Sequence, residues 1–384
     1  MAAPTEHQAP NPIAGYEDWP AAVRGARPFD GPNAAASALG GVLGLRQRPS
    51  TPTAVEEDRQ TVNGVDIRRL RWSVGYGPDT TGWLLRPTGV TGNLPGVLGM
   101  HCHGGVRSIG GEQLVELREG AQQRAAQLRQ GWYSGRAPAN ELARRGFAVL
   151  VHDTFSWGSR RFDLSHPTAH LADRLDAYAA WWREQNLTPS RDEQFDLASG
   201  LHEDLLAKAA GTLGQTLAGA VLTDDLVALD ILASQPGVDA DRLSTFGFSG
   251  GGGRSLLLAA LDHRIDACVV ACMMATFSSL VPLYLDAHSW LLHVPGLWSF
   301  SDWPDLTRLA RARFLVQYRI DDPLFPLAGM EAAHRRLVAL HPEPSRYQGS
   351  FRSGGHEFDA VMQEEAMDFL ARTARIADDF DTID

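Results

Sequence analysis

Residues 243–254 read Leu243-Ser-Thr-Phe-Gly-Phe-Ser249-Gly-Gly-Gly-Gly-Arg254. The apolar run Leu243–Phe246 predicts a short buried strand, the glycines from Gly247 mark a sharp turn, and the apolar run opening at Leu256 predicts a helix. Strand, sharp turn and helix with a serine at the apex form an elbow that lifts the hydroxyl clear of its neighbours. Such a turn demands flanking glycines, because residues without Cβ accept strained backbone angles and let strand pack close on helix. The helix start behind Ser249 leaves backbone N–H groups free to meet a developing oxyanion. Ser249 is the candidate nucleophile. The competing reading is a glycine-rich loop with an incidental serine.

Outward from this stretch, short apolar strands alternate with helices. Upstream lie strands at Leu94–Met100 and Gly146–Asp153, a helix at Ala137–Arg145, and a helix at Val221–Pro236 with Leu222, Leu226, Leu229 and Leu232 on one face. Downstream come strands at Ala267–Met274 and Arg313–Tyr318, then a helix with Met330, Ala333, Leu337 and Leu340 on one face. A last strand at Arg346–Phe351 and a closing helix at Val361–Ile376 follow. This alternation predicts an α/β fold with a mostly parallel, doubly wound sheet. The stretch from Gln60 alternates apolar and polar residues around a turn signal at Asn63-Gly64, and Thr81–Pro87 is a second such run, so antiparallel strands open the sheet. Residues 1–58 read as an irregular arm with one or two short helices, and 59–384 as the catalytic domain. Within that domain 155–220, holding Trp157, Trp181 and Trp182, is a cap-like insertion. These tryptophans, with Trp132, Trp290, Trp298 and Trp303, fall outside the expected core strands and suit cap packing, some of them a ring-stacking surface.

Composition sets the outer limits. A chain of 384 residues, 44% hydrophobic and 21% charged, has ample core for a globular protein. The net charge of −11 argues against nucleic acid as a partner, since phosphate binding needs a basic face and no Lys/Arg run supplies one locally. Arg124, Arg129, Arg136, Arg144 and Arg145 stand among polar residues and read as solvated helix faces. Cys102, Cys268 and Cys272 cannot all pair, and each lies in an apolar segment, which points to free thiols in a reducing compartment. The first thirty residues carry no apolar run of signal or membrane length, so a cytoplasmic protein without a membrane partner is expected. A homo-oligomer is compatible with the sequence and is not specified by it.

A serine hydroxyl attacks only when a neighbouring base takes its proton, and that base needs a third group to fix its tautomer. Downstream of Ser249 an acidic pair ends a strand, and His356 follows the last strand in the loop Ser353-Gly-Gly-His356-Glu-Phe. Asp321 and Asp322 are neighbours on that strand end and face opposite ways, so one alone can reach His356. Asp322, followed by Pro-Leu-Phe-Pro, is favoured, and Asp321 and Asp286 remain alternatives. The run His101-Cys102-His103-Gly104-Gly105 has the spacing of a metal pair, but no third ligand accompanies it. It reads better as the second half of an oxyanion hole, with the N–H of Gly250 as one donor and that of His103 or Gly104 as the other. Neither metal nor cofactor is expected.

The elbow, acid and histidine loop, together with His288-Ser-Trp, Val294-Pro-Gly-Leu-Trp, Ser301-Asp-Trp-Pro-Asp-Leu and Gly355-His-Glu-Phe, resemble the dienelactone hydrolase and acetyl xylan esterase branch of the α/β-hydrolase superfamily. The likeness runs from about Thr61 to the C-terminus. It implies the α/β-hydrolase fold, Ser249, Asp322 and His356 as a triad, and cofactor-free cleavage of a small-molecule ester through an acyl-enzyme, with acetyl or other small acyl esters as substrates. Cys102 departs from the His-Gly-x-Gly loop usual in that branch. A peptidase of the prolyl oligopeptidase type shares the catalytic domain but usually carries a large gating domain, for which the N-terminal region is too short. A non-catalytic binding protein on the same scaffold is the third reading, against which the intact Ser, Asp and His set argues.

Overall fold

The computed structural model describes residues 11, 13–27, 29–48, 53–118 and 123–375. Nine strands run in chain order: β1 (Val55–Val62), β2 (Val65–Trp72), β3 (Thr80–Pro87), β4 (Leu94–Met100), β5 (Ala148–His152), β6 (Val238–Phe248), β7 (Ile265–Ala271), β8 (Arg313–Arg319) and β9 (Tyr347–Arg352). They form one sheet in the order β1-β2-β3-β5-β4-β6-β7-β8-β9. The pairs β1–β2, β2–β3 and β3–β5 are antiparallel, and every pair from β5 through β9 is parallel. The expected mostly parallel sheet with an antiparallel N-terminal edge is therefore the observed one.

Local chemistry explains the opening hairpin. Asn63 and Gly64 take φ of 46° and 77°, the left-handed values that a two-residue turn between twisted strands requires. The first strand begins at Val55, earlier than the alternation suggested, because β1 is an edge strand exposed along nearly its whole length and carries no apolar rhythm. Strands β4, β5, β7 and β8 read as near-continuous apolar runs because both faces are covered, and β6 is continuously buried only from Leu243 onward.

Helices on both faces supply that cover. In chain order the helices of the described residues are α1 (Trp19–Gly25), α2 (Ala34–Leu43), α3 (Gln123–Trp132), α4 (Pro138–Arg144), α5 (Ala169–Glu184), α6 (Arg191–Thr212), α7 (Leu217–Ser234), α8 (Gly250–Leu261), α9 (Phe277–Leu280), α10 (Leu297–Phe300), α11 (Leu327–Leu340) and α12 (Ala360–Ala374). Side chains of α1, α2, α7, α8 and α11 share one apolar cluster with one face of the sheet, and those of α4 and α12 share the other. Among the described residues no helix is long and apolar enough to cross a membrane.

Several expectations need correction. The N-terminal segment is less an arm than part of the core, since Tyr16, Trp19, Leu39 and Leu43 are wholly buried; the segment's residues 1–10, 12, 28 and 49–52 lie outside the described residues, as does Ile376 of the closing helix. Helix α7 is not amphipathic. It is buried nearly all round, including Asp224 and Asp225, because it lies between the sheet and other helices. Arg160 pairs with Asp224 at 2.9 Å and Arg254 with Asp225 at 2.5 Å, which neutralises charges that would otherwise cost several kcal/mol each. Helix α3 escaped notice because its sequence is polar. Arg129, expected in solvent, is buried and donates to the carbonyls of Glu112 and Val115 at 3.0 and 2.8 Å. Arg124 meets Asp196 at 3.2 Å, and Arg136, Arg144 and Arg145 make surface ion pairs. Of the tryptophans, Trp157 and Trp303 are core, whereas Trp181, Trp290 and Trp298 are exposed.

Candidate active site

Strand β6 delivers the chain to Ser249, and α8 begins at once with Gly250, six residues earlier than its apolar run announced. Glycines are poor helix formers, so the close approach of the neighbouring backbone decides here. A Cβ on Gly247 would stand 2.1 Å from the carbonyl oxygen of Gly251, and one on Gly251 would stand 2.2 Å from that of Met100. Ser249 itself takes φ 56° and ψ −124°, a strained conformation costing about 1–3 kcal/mol, while its N–H bonds the carbonyl of Ala271 at 2.8 Å.

The structure brings Ser249, His356 and Asp322 together. Nε2 of His356 stands 2.8 Å from Oγ of Ser249, and Nδ1 stands 2.6 Å from Oδ2 of Asp322. With a carboxylate at Nδ1, that nitrogen carries the proton, leaving Nε2 as acceptor for the serine O–H. The Asp322 side chain is buried, and its other oxygen accepts the N–H of Leu324 at 2.9 Å, an Asx turn that fixes the carboxylate. Asp321 faces the other way and pins the histidine loop, accepting the N–H of Gly354 at 2.8 Å. Arg319 adds a bond to the carbonyl of Gly355 at 3.2 Å. Asp286 lies in the wall of the cavity.

Across the cavity, the loop after β4 meets the elbow. A Cβ on Gly250 would lie 3.1 Å from the backbone nitrogen of His103, so the two backbones approach closely, and both residues line the cavity that holds Ser249. As the first residue of α8, Gly250 has an N–H that the helix does not use. The orientation of the His103 N–H follows from peptide geometry. Nδ1 of His101 donates to the Cys102 carbonyl at 2.9 Å, which turns that carbonyl toward the buried His101 ring. In a planar trans peptide the N–H points opposite to the C=O, so the His103 N–H is turned away from the core. Arg254 bonds the His101 carbonyl at 3.0 Å from behind. Burial first, then Arg254, holds His101 well below the ordinary histidine range, so the ring stays a neutral donor. Gly104, the alternative donor, sits in a left-handed turn at φ 60° against Trp132. Cys102 is buried and bonds Gln113, and burial pushes its thiol up to about 12, so it is inert.

The cavity measures about 770 Å³. Its apolar wall includes Met273, Leu291, Trp303 and Phe325, and its polar residues include Glu203 and His288. Burial lowers His288 to about 4, and its Nε2–H donates to the Leu324 carbonyl at 2.8 Å, so it is a neutral structural group. Sequence reading missed Glu203. It lies on α6 among Asp196, Ser199 and His202, a buried polar stripe at helical spacing. The capping box of Ser190 and Glu193 announces the helix, but a buried polar stripe and a solvated one look the same in sequence.

A strained serine at the strand-to-helix turn of a mostly parallel sheet, hydrogen-bonded to a histidine after the last strand, is the arrangement of the α/β-hydrolase fold. Residues 212–290 match the family model described as acetyl xylan esterase (AXE1). The chain is 26% identical over 295 residues to the Bacillus subtilis (strain 168) protein YtaP, a hydrolase by name, covering 76% of this chain and 82% of that protein. Among solved structures it is similar to acetyl xylan esterase 1 from Thermoanaerobacterium sp. JW/SL YS485, with a TM-score of 0.51 and 15% identity over 92% of this chain and 98% of the other. It is also similar to the glucuronoyl esterase from Solibacter usitatus, with a TM-score of 0.55 and 13% identity over 96% and 98%. At these identities the structural likenesses establish the α/β-hydrolase fold.

Proposed function

We propose that this chain is a serine hydrolase that cleaves carboxylic esters through an acyl-enzyme, with small acyl groups such as acetyl as its substrates. The observation that carries the reading is the continuous chain from Ser249 Oγ to His356 at 2.8 Å and on to Asp322 at 2.6 Å. In that reading Ser249 attacks the ester carbonyl while Nε2 of His356 takes its proton, and Asp322 stabilises the resulting imidazolium. The oxyanion develops between the N–H groups of Gly250 and His103. Collapse of the tetrahedral adduct expels the alcohol, which receives the proton from His356. Water, activated by the same nitrogen, then releases the acid and restores Ser249.

The matched family and the esterases of the same fold support this reaction class. Three buried, unpaired thiols support a reducing, cytoplasmic setting. A fluorophosphonate probe should label Ser249, mapped by peptide mass spectrometry, and p-nitrophenyl acetate should turn over faster than long-chain esters. Absence of label with an intact fold would overturn the proposal.

A further inference from the structure

The helical insertion reaches the reaction centre through one buried carboxylate. Glu203, on the inner face of α6, ties three segments at once. Its Oε2 accepts from Nε2 of His103 at 3.0 Å and from the guanidinium of Arg107, and its Oε1 accepts the backbone N–H of Trp290 at 2.9 Å. Arg107 is buried as well, 3.9 Å over the ring of Trp157, and Nε1 of Trp157 donates to the His103 carbonyl at 3.3 Å. Burial opposes ionisation of Glu203, but Arg107 and His103 outweigh it and hold the carboxyl well below its ordinary range. A permanent carboxylate therefore stands against the outer side of the His103 loop.

The ring of His103 is fully engaged. Its Nδ1 accepts the N–H of Gly105 at 3.0 Å, so Nε2 carries the proton that goes to Glu203. Neither nitrogen is available to Ser249, which removes His103 as a second base. What the ring fixes is its own backbone, whose nitrogen lies against Gly250 at the elbow. The Cys102–His103 peptide is thus held from the inside by His101 and from the outside by the His103 ring.

We propose that Glu203 is a positioning residue for ester cleavage: by gripping the His103 ring it keeps the His103 N–H aimed at the oxyanion. This inference rests on the serine-esterase reading. An oxyanion donor acts mainly on the transition state, so losing its alignment lowers kcat more than it changes KM, and a whole donor accounts for about 10²–10³ in kcat.

The test is a double-mutant cycle of Glu203→Gln and His103→Ala, assayed with p-nitrophenyl acetate. Glu203→Gln should lower kcat by about 10–100-fold with KM within about threefold. His103→Ala, which keeps the backbone N–H but removes the tether, should lose a similar amount, and the double variant little more than either alone. Affinity for a trifluoromethyl ketone, whose adduct carries an oxyanion, should fall in step with kcat, while affinity for the product alcohol should not move. Glu203→Asp should recover part of the rate. Wild-type kcat in Glu203→Gln, or multiplicative losses in the double variant, would overturn the proposal. Should Glu203→Gln fail to fold, His103→Ala, at a partly exposed side chain, decides alone: unchanged kcat and ketone affinity there overturn it as well. Ser249→Ala separates the two levels. Turnover surviving in that variant would sink the esterase reading, whereas an inactive Ser249→Ala beside a fully active Glu203→Gln would sink only the role of Glu203.

Discussion

Two histidine–carboxylate pairs flank Ser249, and they differ in what the second ring nitrogen meets. His356 takes Asp322 at Nδ1 and turns Nε2 to the serine, whereas His103 takes Glu203 at Nε2 and turns Nδ1 to the N–H of Gly105. The first pair leaves a nitrogen lone pair on the nucleophile. The second spends both nitrogens on its own loop. The same two functional groups therefore yield a base in one place and a clamp in the other, and the deciding variable is the direction of one lone pair. Asp322 and His356 follow the adjacent parallel strands β8 and β9, while Glu203 reaches His103 from α6.

The strongest way to break this comparison is to remove what the first pair serves. Ser249→Ala should lower kcat by about 10⁴–10⁶-fold with an unchanged melting temperature, measured on an activated ester. Residual turnover near the wild-type level would mean that His356 points at a spectator. Next in size is Asp322→Asn, expected to cost about 10⁴-fold by favouring the wrong tautomer of His356. Asp321→Asn should cost about tenfold or less, since the amide oxygen can still accept from Gly354, and Asp286→Asn less again. If Asp321→Asn or Asp286→Asn proved the most damaging, the assignment of the first pair would be wrong.

The comparison sharpens with His356→Ala beside His103→Ala. A base and a clamp should differ by at least about tenfold in kcat, with the larger loss at His356. Equal losses would show that the two rings share one role.

The smallest effect concerns a carboxyl that has no such partner. Glu112 lines a separate cavity of about 880 Å³ with Asp153, and burial, then the Asp153 charge, raises it to about 7 against the relief from Arg161. Its folded value lies above its unfolded one. The stability it contributes is therefore complete below about pH 4.5 and is lost as the pH rises through about 7. Urea unfolding at pH 5 and pH 8 should show Glu112→Gln gaining roughly 1–3 kcal/mol over wild type at the higher pH only. An equal difference at both pH values would assign the effect to packing instead.

The sequence by itself determined the order of the elements and the chemistry at the elbow. Alternating apolar runs, Asn63-Gly64, and glycines around Ser249 are local signals, because strand burial, turn angles and close backbone approach each demand particular residues within a few positions. Tertiary structure decided everything that depends on direction. The choice between Asp321 and Asp322 became a matter of which carboxylate faces His356, and the start of α8 at Gly250 followed from the nearness of the Met100 carbonyl. Arg129, Asp224, Asp225 and Glu203 look like surface residues in a linear text. The burial of the three acids is set by partners 29 to 96 residues away, Arg160 for Asp224, Arg254 for Asp225 and Arg107 for Glu203, and no periodicity encodes a pairing at such separations. A charged residue's place is fixed by what neutralises it, and that is known only once the chain has folded.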